Sequence, residues 1–426
     1  MPTRDRLSAL DASFLHLETG GAHMHVASVL VFSGAPPRHE ELIAGIEARL
    51  HLVPRYRQRL AEVPLGQGRP VWIDDPHFNL GYHVRHSALP APGGDHELRV
   101  LAGRLFAQPL DRTKPLWDLA LVEGLADAEG EQRFAIISKA HHALVDGVSG
   151  VDITGVLFDL DADAGPPLEP ERPWVARPAP TGPELLGEAL LERATVPREM
   201  IRGLRAATRT PRQALGRLAD IGSLALAQTS SPAPPTPLNV EIGPHRRYTW
   251  VDAEVPRFKA IKNALGGTLN DVVLASVSLA LGRFLRDRGH ATEGLTLKAM
   301  VPVSVRAEAE SGALGNRVAT MWAPLPVGIR DPAEVMARVS SAMRELKESG
   351  QAVGASTLTA LADFAPPTIM SQAARLQARQ RYFNVVVTNV PGPQMPLYLQ
   401  GRLLERFYPV VPLAQRQALG VAIMSY

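Results

Sequence analysis

Residues Arg133–Gly150 read RFAIISKAHHALVDGVSG, and the organisation of the chain can be worked out from them. The apolar run Phe134–Ala140 predicts a strand. It leads into His141-His142-Ala143-Leu144-Val145-Asp146-Gly147, where Asp-Gly marks a tight turn. Ser149 and Asp152 have the spacing of a capping box, so a helix is expected directly after the turn. A strand end, a turn and a helix start fix side chains between two rigid elements, which suits catalytic groups. A histidine in such a place can serve as general base near neutral pH. An aspartate four residues later can accept a charge-assisted hydrogen bond and hold the loop. Adjacent strand residues face opposite sides, so His141 is expected to support the site rather than supply a second base.

Working outward, Trp117–Gly124 (WDLALVEG) forms the preceding strand, across an acidic turn near Asp127–Glu131. Upstream, Met24–Gly34 is a β-branched strand, and Glu40–Leu52 is a helix with Leu42, Ile43, Ile46 and Leu50 on one face, stopped by Pro54. Leu98, Leu101, Leu105 and Phe106 mark a second amphipathic helix. Downstream, Tyr248–Val255 reads as a strand, and Phe258, Ile261 and Leu265 read as a helix closed by Gly266. Thr268 and Asp271 cap the apolar helix that follows. Leu295–Val305, Met321–Ile329 and Phe383–Val390 read as strands, and Asp331, Pro332 and Glu334 open a helix running to Gly350. Proline-rich stretches at Gly165–Glu184 and Ser230–Pro237 bracket a helical segment. The chain thus reads as an α/β protein (α+β, mixed sheets) of two comparable domains, 1–164 and 238–426, joined by a connector at 165–237.

Composition narrows the function. The 426 residues are 45% hydrophobic and 21% charged, as in a soluble globular protein. With 45 Lys+Arg against 43 Asp+Glu, the net charge of +2 argues against a general nucleic-acid binder. No cysteine is present, which removes disulfides, thiolate metal sites and a thiol nucleophile. No phosphate loop and no HExxH occur, and Ser149 in GVSGV fails the G-x-S-x-G elbow because Val151 takes its last position. No metal and no bound cofactor are expected. The N-terminus has no signal-like apolar region, and the longest apolar stretch, Val272–Gly282, is too short to span a bilayer. Arg202, Arg205, Arg209, Arg212 and Arg217 lie among Ile201, Leu204, Leu215 and Leu218, which fits either an anionic lipid surface or a solvated helix face.

HHALVDG resembles the HHxxxDG motif of acyltransferases related to chloramphenicol acetyltransferase, which peptide-synthetase condensation domains share. LDASFLHLE (Leu10–Glu18), PLDRTKPLW (Pro109–Trp117), PLN (Pro237–Asn239), PHRR (Pro244–Arg247), GGTLNDVVLA (Gly266–Ala275), PVSVR (Pro302–Arg306) and NVPGP (Asn389–Pro393) resemble the bacterial wax ester synthase/diacylglycerol acyltransferase family. The resemblance covers nearly the whole chain in order. It implies two chloramphenicol-acetyltransferase-like domains with the active site in the channel between them. That family continues past GVAIMSY with further strands, so the second sheet is expected to lack them.

The resemblance also assigns roles. His142 is the catalytic base, taking the proton of an acceptor hydroxyl as its oxygen attacks the thioester of acyl-CoA, with no covalent acyl-enzyme. Asp146 is structural, orienting the loop beside Gly147 by pairing with Arg306. Asn270, next to Asp271, is either an oxyanion donor or a brace for the turn. Pro115, Leu116 and Trp117 are expected to be core rather than substrate contacts. Arg246 and Arg247 either meet the phosphates of coenzyme A or form a solvated basic turn. The expected activity is O-acylation of diacylglycerol or of a long-chain alcohol with acyl-CoA as co-substrate. A carrier-protein-dependent condensation enzyme and a non-catalytic lipid-droplet protein are the rivals. The expected location is cytoplasmic, peripheral to the inner membrane face or to lipid droplets, with no nucleic-acid partner.

Overall fold

The computed structural model describes residues 5–18, 20–145, 156–165, 172–192, 232–304, 318–348 and 381–426. Along the first half run α1 (Ala9–Leu17), β1 (His25–Ser33), α2 (His39–Arg49), β2 (Gln58–Ala61), β3 (Val71–Asp74), α3 (Leu80–His83), β4 (Val84–Ala88), α4 (Asp95–Ala107), β5 (Trp117–Ala126), β6 (Gln132–His141) and the single helical turn α5 (His142–Val145). The second half holds α6 (Val255–Leu265), α7 (Leu269–Asp287), β7 (Leu297–Ser304), β8 (Val318–Leu325), α8 (Pro332–Glu348), β9 (Val385–Pro391), β10 (Tyr398–Leu399), β11 (Arg402–Val410) and β12 (Gly420–Ser425).

The first sheet has the order β10-β11-β1-β6-β5-β4. Strand alternation sorts its side chains onto two faces. Leu30, Phe32, Phe134 and Ile136 pack with Leu42 and Ile46 of α2 and Leu15 of α1. Val29, Val31, Ala135 and Ile137 pack on the other face with Leu98, Ala102 and Phe106 of α4. Each large side chain so buried contributes roughly 1.5–3 kcal/mol. The sheet is thus a central layer with helices on both faces.

The second sheet, β12-β9-β7-β8, carries both long helices on one face. Leu297, Ala299, Val301, Val385 and Val387 meet Leu274, Leu281 and Leu285 of α7 and Val335, Val339 and Met343 of α8. The α7 capping box forms as its sequence indicates: Asp271 N donates to Thr268 Oγ1 (3.2 Å) and Thr268 N to Asp271 Oδ2 (2.8 Å). Mixed α/β architecture therefore stands, and β2 and β3 pair as a separate two-stranded sheet.

Three details differ from the sequence reading. First, β11 pairs antiparallel with β1, so the 238–426 segment completes the sheet of the 1–164 segment. Second, the proline-rich residues after 171 are no free linker. Arg177 grips Asp74 through Nε and Nη2, each 3.0 Å from a carboxylate oxygen, and through its backbone N–H. The Arg177 hydrogen bonds hold the Asp74 carboxyl down at about 2 despite burial. Arg57 lies over the Trp174 ring, and Leu185 packs on Val71 and Ile73. Third, Tyr248–Glu254 joins no sheet, and Val255 already opens α6. Its aromatic side chains decide the matter. Trp250 stacks on Tyr408 at 4.5 Å, under the Arg99 guanidinium, and the Tyr248 hydroxyl donates to Pro409 O. The segment lies on the first sheet by its side chains rather than along an edge by its backbone.

Candidate active site

The histidine pair stands at the end of β6, where strand gives way to helix. His141 closes the strand opposite His25 of β1, and His142 opens α5. The junction is fixed from three sides by backbone bonds. His141 N donates to Leu116 O (2.9 Å), and His142 N donates to Met24 O (2.8 Å). Ala143 N donates to His141 Nδ1 (3.0 Å). An Nδ1 that accepts must lack a proton in the neutral ring, so Nε2 carries it. That Nε2 lies 3.4 Å from Glu18 Oε1.

Glu18 is the residue that sequence reading quoted within a motif but gave no role. It ends α1, where the helix dipole disfavours an acid. Other contacts outweigh that. Its Oε1 accepts from Met24 N (2.8 Å) and lies 3.5 Å from His25 Nε2, and its Oε2 accepts from Arg112 Nη2 (2.6 Å). Burial acts to raise this carboxyl, but the facing His141 ring, Arg112 and the Met24 amide hold it far below the usual carboxylate range. His25, by contrast, is pushed down to about 2 by burial and by the nearby Lys139 charge, and so is neutral at physiological pH. Lys139 is itself buried, with Nζ donating to Leu105 O and Gln108 O at the end of α4.

The two histidines differ sharply in setting. His141 is 1% exposed and enclosed by this polar cluster. His142 is half-buried and stacks on Phe14 of α1, ring centroids 4.0 Å apart. Beneath them, Pro115, Leu116 and Trp117 are all buried. Trp117 Nε1 donates to Tyr56 O (2.8 Å), and its ring stacks on His83 at 4.7 Å. This triplet is packing under the histidine turn.

On the second sheet, Asn270 sits in the first turn of α7, half-buried, and its Oδ1 accepts from Asn389 Nδ2 of β9 at 3.4 Å. Asp271 beside it is 4% exposed and belongs to the cap. Asp146, Gly147 and Arg306 lie outside the described residues, as do Arg202, Arg205, Arg209, Arg212 and Arg217. Among the described residues, no group of three or more His, Asp or Glu is arranged to hold a metal ion.

The sequence profile of the "Wax ester synthase/diacylglycerol acyltransferase catalytic domain" matches residues 7–273, and that of the "WS/DGAT C-terminal domain" matches residues 314–426. The chain belongs to this family. It is an acyltransferase. Among relatives of this wax ester synthase/diacylglycerol acyltransferase family, the Mycobacterium tuberculosis protein named "Probable diacyglycerol O-acyltransferase tgs1" is 32% identical, over 99% of this chain and 89% of that one. The wax ester synthase/diacylglycerol acyltransferase from Marinobacter aquaeolei VT8 superposes with a TM-score of 0.65 at 29% identity, over 99% of this chain and 90% of that one. The starter condensation domain of rhizomide synthetase shares the fold, with a TM-score of 0.55 at 14% identity over 99% and 86%.

Within this chain, Arg246, read from the sequence as either a phosphate contact or part of a solvated basic turn, binds backbone carbonyls. Its Nη2 donates to Gly21 O, and its Nη1 donates to Gly243 O (2.8 Å) and His245 O (2.9 Å). The guanidinium therefore clamps the crossing segment onto the loop that leads into β1. Gly21 is required there: a Cβ would stand 2.5 Å from Gly243 O. Arg247 next to it is exposed.

Proposed function

We propose that this acyltransferase joins a fatty acyl group from acyl-CoA to a diacylglycerol or a long-chain alcohol, with His142 as general base. His142 takes the hydroxyl proton while the acceptor oxygen bonds to the thioester carbonyl carbon. The carbon–sulfur bond then breaks, and the proton passes to the departing coenzyme A thiolate. The reading is carried by the contrast within the pair: His141 is enclosed against Glu18, whereas His142 is half-exposed against Phe14. Asn270, at the N-terminus of a 19-residue helix, supplies a donor for the oxyanion. Incubating the purified protein with labelled palmitoyl-CoA and either dioleoylglycerol or hexadecanol tests this reading. Ester should form with at least one acceptor, with matching release of coenzyme A. Thioester consumption without ester from either acceptor would overturn it.

The acceptors are lipids, and we place the enzyme peripherally on an anionic membrane or lipid-droplet surface on the cytoplasmic side. Helix α6 supports this. Not one of its residues is buried; Val255, Ile261 and Leu265 are exposed, and Arg257, Lys259 and Lys262 accompany them. No single described helix is long and apolar enough to cross a membrane. Each cation near an anionic surface is worth about 1 kcal/mol. Replacing Lys259 and Lys262 with Gln should therefore weaken co-sedimentation with phosphatidylserine vesicles by roughly tenfold or more at low salt, and less at high salt. Equal sedimentation of variant and parent would remove α6 from the interface.

A further inference from the structure

The NVPGP motif has no part in the chemistry set out so far, yet its first residue reaches the proposed oxyanion donor. On β9, Val385 and Val387 lie on the face that packs against α7 and α8, in the core of the second half. Asn389 is the next residue on that face by strand alternation. An apolar series thus ends in an amide where the strand passes the first turn of α7.

The backbone that carries the amide is held firmly. Asn389 pairs with Ile423 of β12. Three residues on, Gly392 N donates to Ser425 O (3.0 Å), and a Cβ at Gly392 would stand 2.8 Å from that same oxygen. The turn is therefore closed down on β12, and Asn389 sits on a strand with little freedom. Asn270 is as well fixed by the Thr268–Asp271 capping box.

An asparagine side chain is ambiguous until its oxygen or its nitrogen is engaged, because the two ends of the amide are nearly the same shape. As an oxyanion donor Asn270 works only one way round. With Oδ1 turned to the acyl oxygen it would repel the charge it should stabilise. Asn389 Nδ2 donates to Asn270 Oδ1, which leaves the Asn270 NH2 on the opposite branch of the amide. We propose that Asn389 is a positioning residue, fixing the Asn270 amide so that its NH2 faces the developing oxyanion. This rests on the reading of Asn270 given above.

The test compares Asn389→Ala with Asn389→Asp, each alone and with Asn270→Ala, in steady-state assays of the full chain with palmitoyl-CoA and hexadecanol. A residue that only packs should tolerate the near-isosteric Asp better than Ala. A positioning donor predicts the reverse. Asp can only accept, so it draws the Asn270 NH2 to itself and turns the oxygen toward the substrate. Asn389→Asp should then lower kcat by about a hundredfold, near the loss for removing one oxyanion donor. Asn389→Ala should lower it by about tenfold, with KM little changed in both. In the Asn270→Ala background neither change should cost more, since they act through that side chain. Asn389 variants as active as the parent, while Asn270→Ala is crippled, would overturn the positioning role. So would an Asn389→Asp loss that persists without Asn270, which marks a through-space charge effect. Parent-like activity of Asn270→Ala would instead overturn the oxyanion reading beneath it. Melting profiles identify a variant that fails to fold, and Asn389→Ala alone then decides.

Discussion

His142→Ala is expected to lower turnover by roughly 10²–10⁴-fold, the usual contribution of a positioned general base. Its effect on folding should be small. The ring is half-buried and its ring contact is with Phe14, while the turn is held by the His142 backbone N–H, which the variant keeps. His141→Ala should behave in the opposite way. It removes a side chain that is 1% exposed and takes away the acceptor for the Ala143 amide, so stability falls first and activity follows. Initial rates and thermal melts of the two variants side by side check the assignment. Near-normal ester formation by a well-folded His142→Ala would sink it.

The second large effect is expected at Glu18. This carboxylate joins α1 to the loop before β1 and faces both His25 and His141. Its side chain is only 12% exposed, so removing it leaves the buried Met24 N–H without its acceptor, while Arg112, 47% exposed, stays in water. Leaving a buried donor unsatisfied costs about 1–3 kcal/mol. Glu18→Ala should therefore melt well below the parent and lose activity, because the Met24 carbonyl that holds His142 belongs to the loosened loop. Unchanged melting of this variant would show that the cluster is not the anchor.

The pH dependence has a definite sign. The folded Glu18 carboxyl lies far below the ordinary glutamate value of 4.5, so its stabilisation is complete above that pH and is lost as the pH falls through the depressed value. His25 adds a higher window. It is neutral in the fold down to about 2 but protonates near 6.5 when unfolded, so stability also declines as the pH drops below 6.5. Acid melting curves of the parent should begin to fall in that upper window.

Much of this was legible in the residues. Apolar runs located β5 and β6, periodicity located α2, and capping residues located the starts of α7 and α8, because these features are written in short stretches of chain. The histidine turn was legible for the same reason. Glu18 was not, since its partners lie on β1, on β6 and at Arg112, and one acid at a helix end does not reveal them. The proline-rich residues 172–181 read as a linker because proline reports what a backbone cannot do. Only the three-dimensional approach of Asp74 to Arg177 shows what holds it. Tyr248–Val255 has strand composition, and its composition was satisfied by aromatic packing on a sheet face instead.

The pairing of β11 with β1 has a consequence for how the molecule is made. During synthesis, β1 emerges well before β11, the strand that covers its open side. Until then the nascent first sheet presents β1 as an unprotected edge, an invitation to pair with another chain. Closing that edge also joins segments at great separation, the slowest kind of contact to form. A fragment ending at the connector should therefore be aggregation-prone even though it contains the whole histidine motif. The half that carries the histidine pair matures only after β11 has emerged.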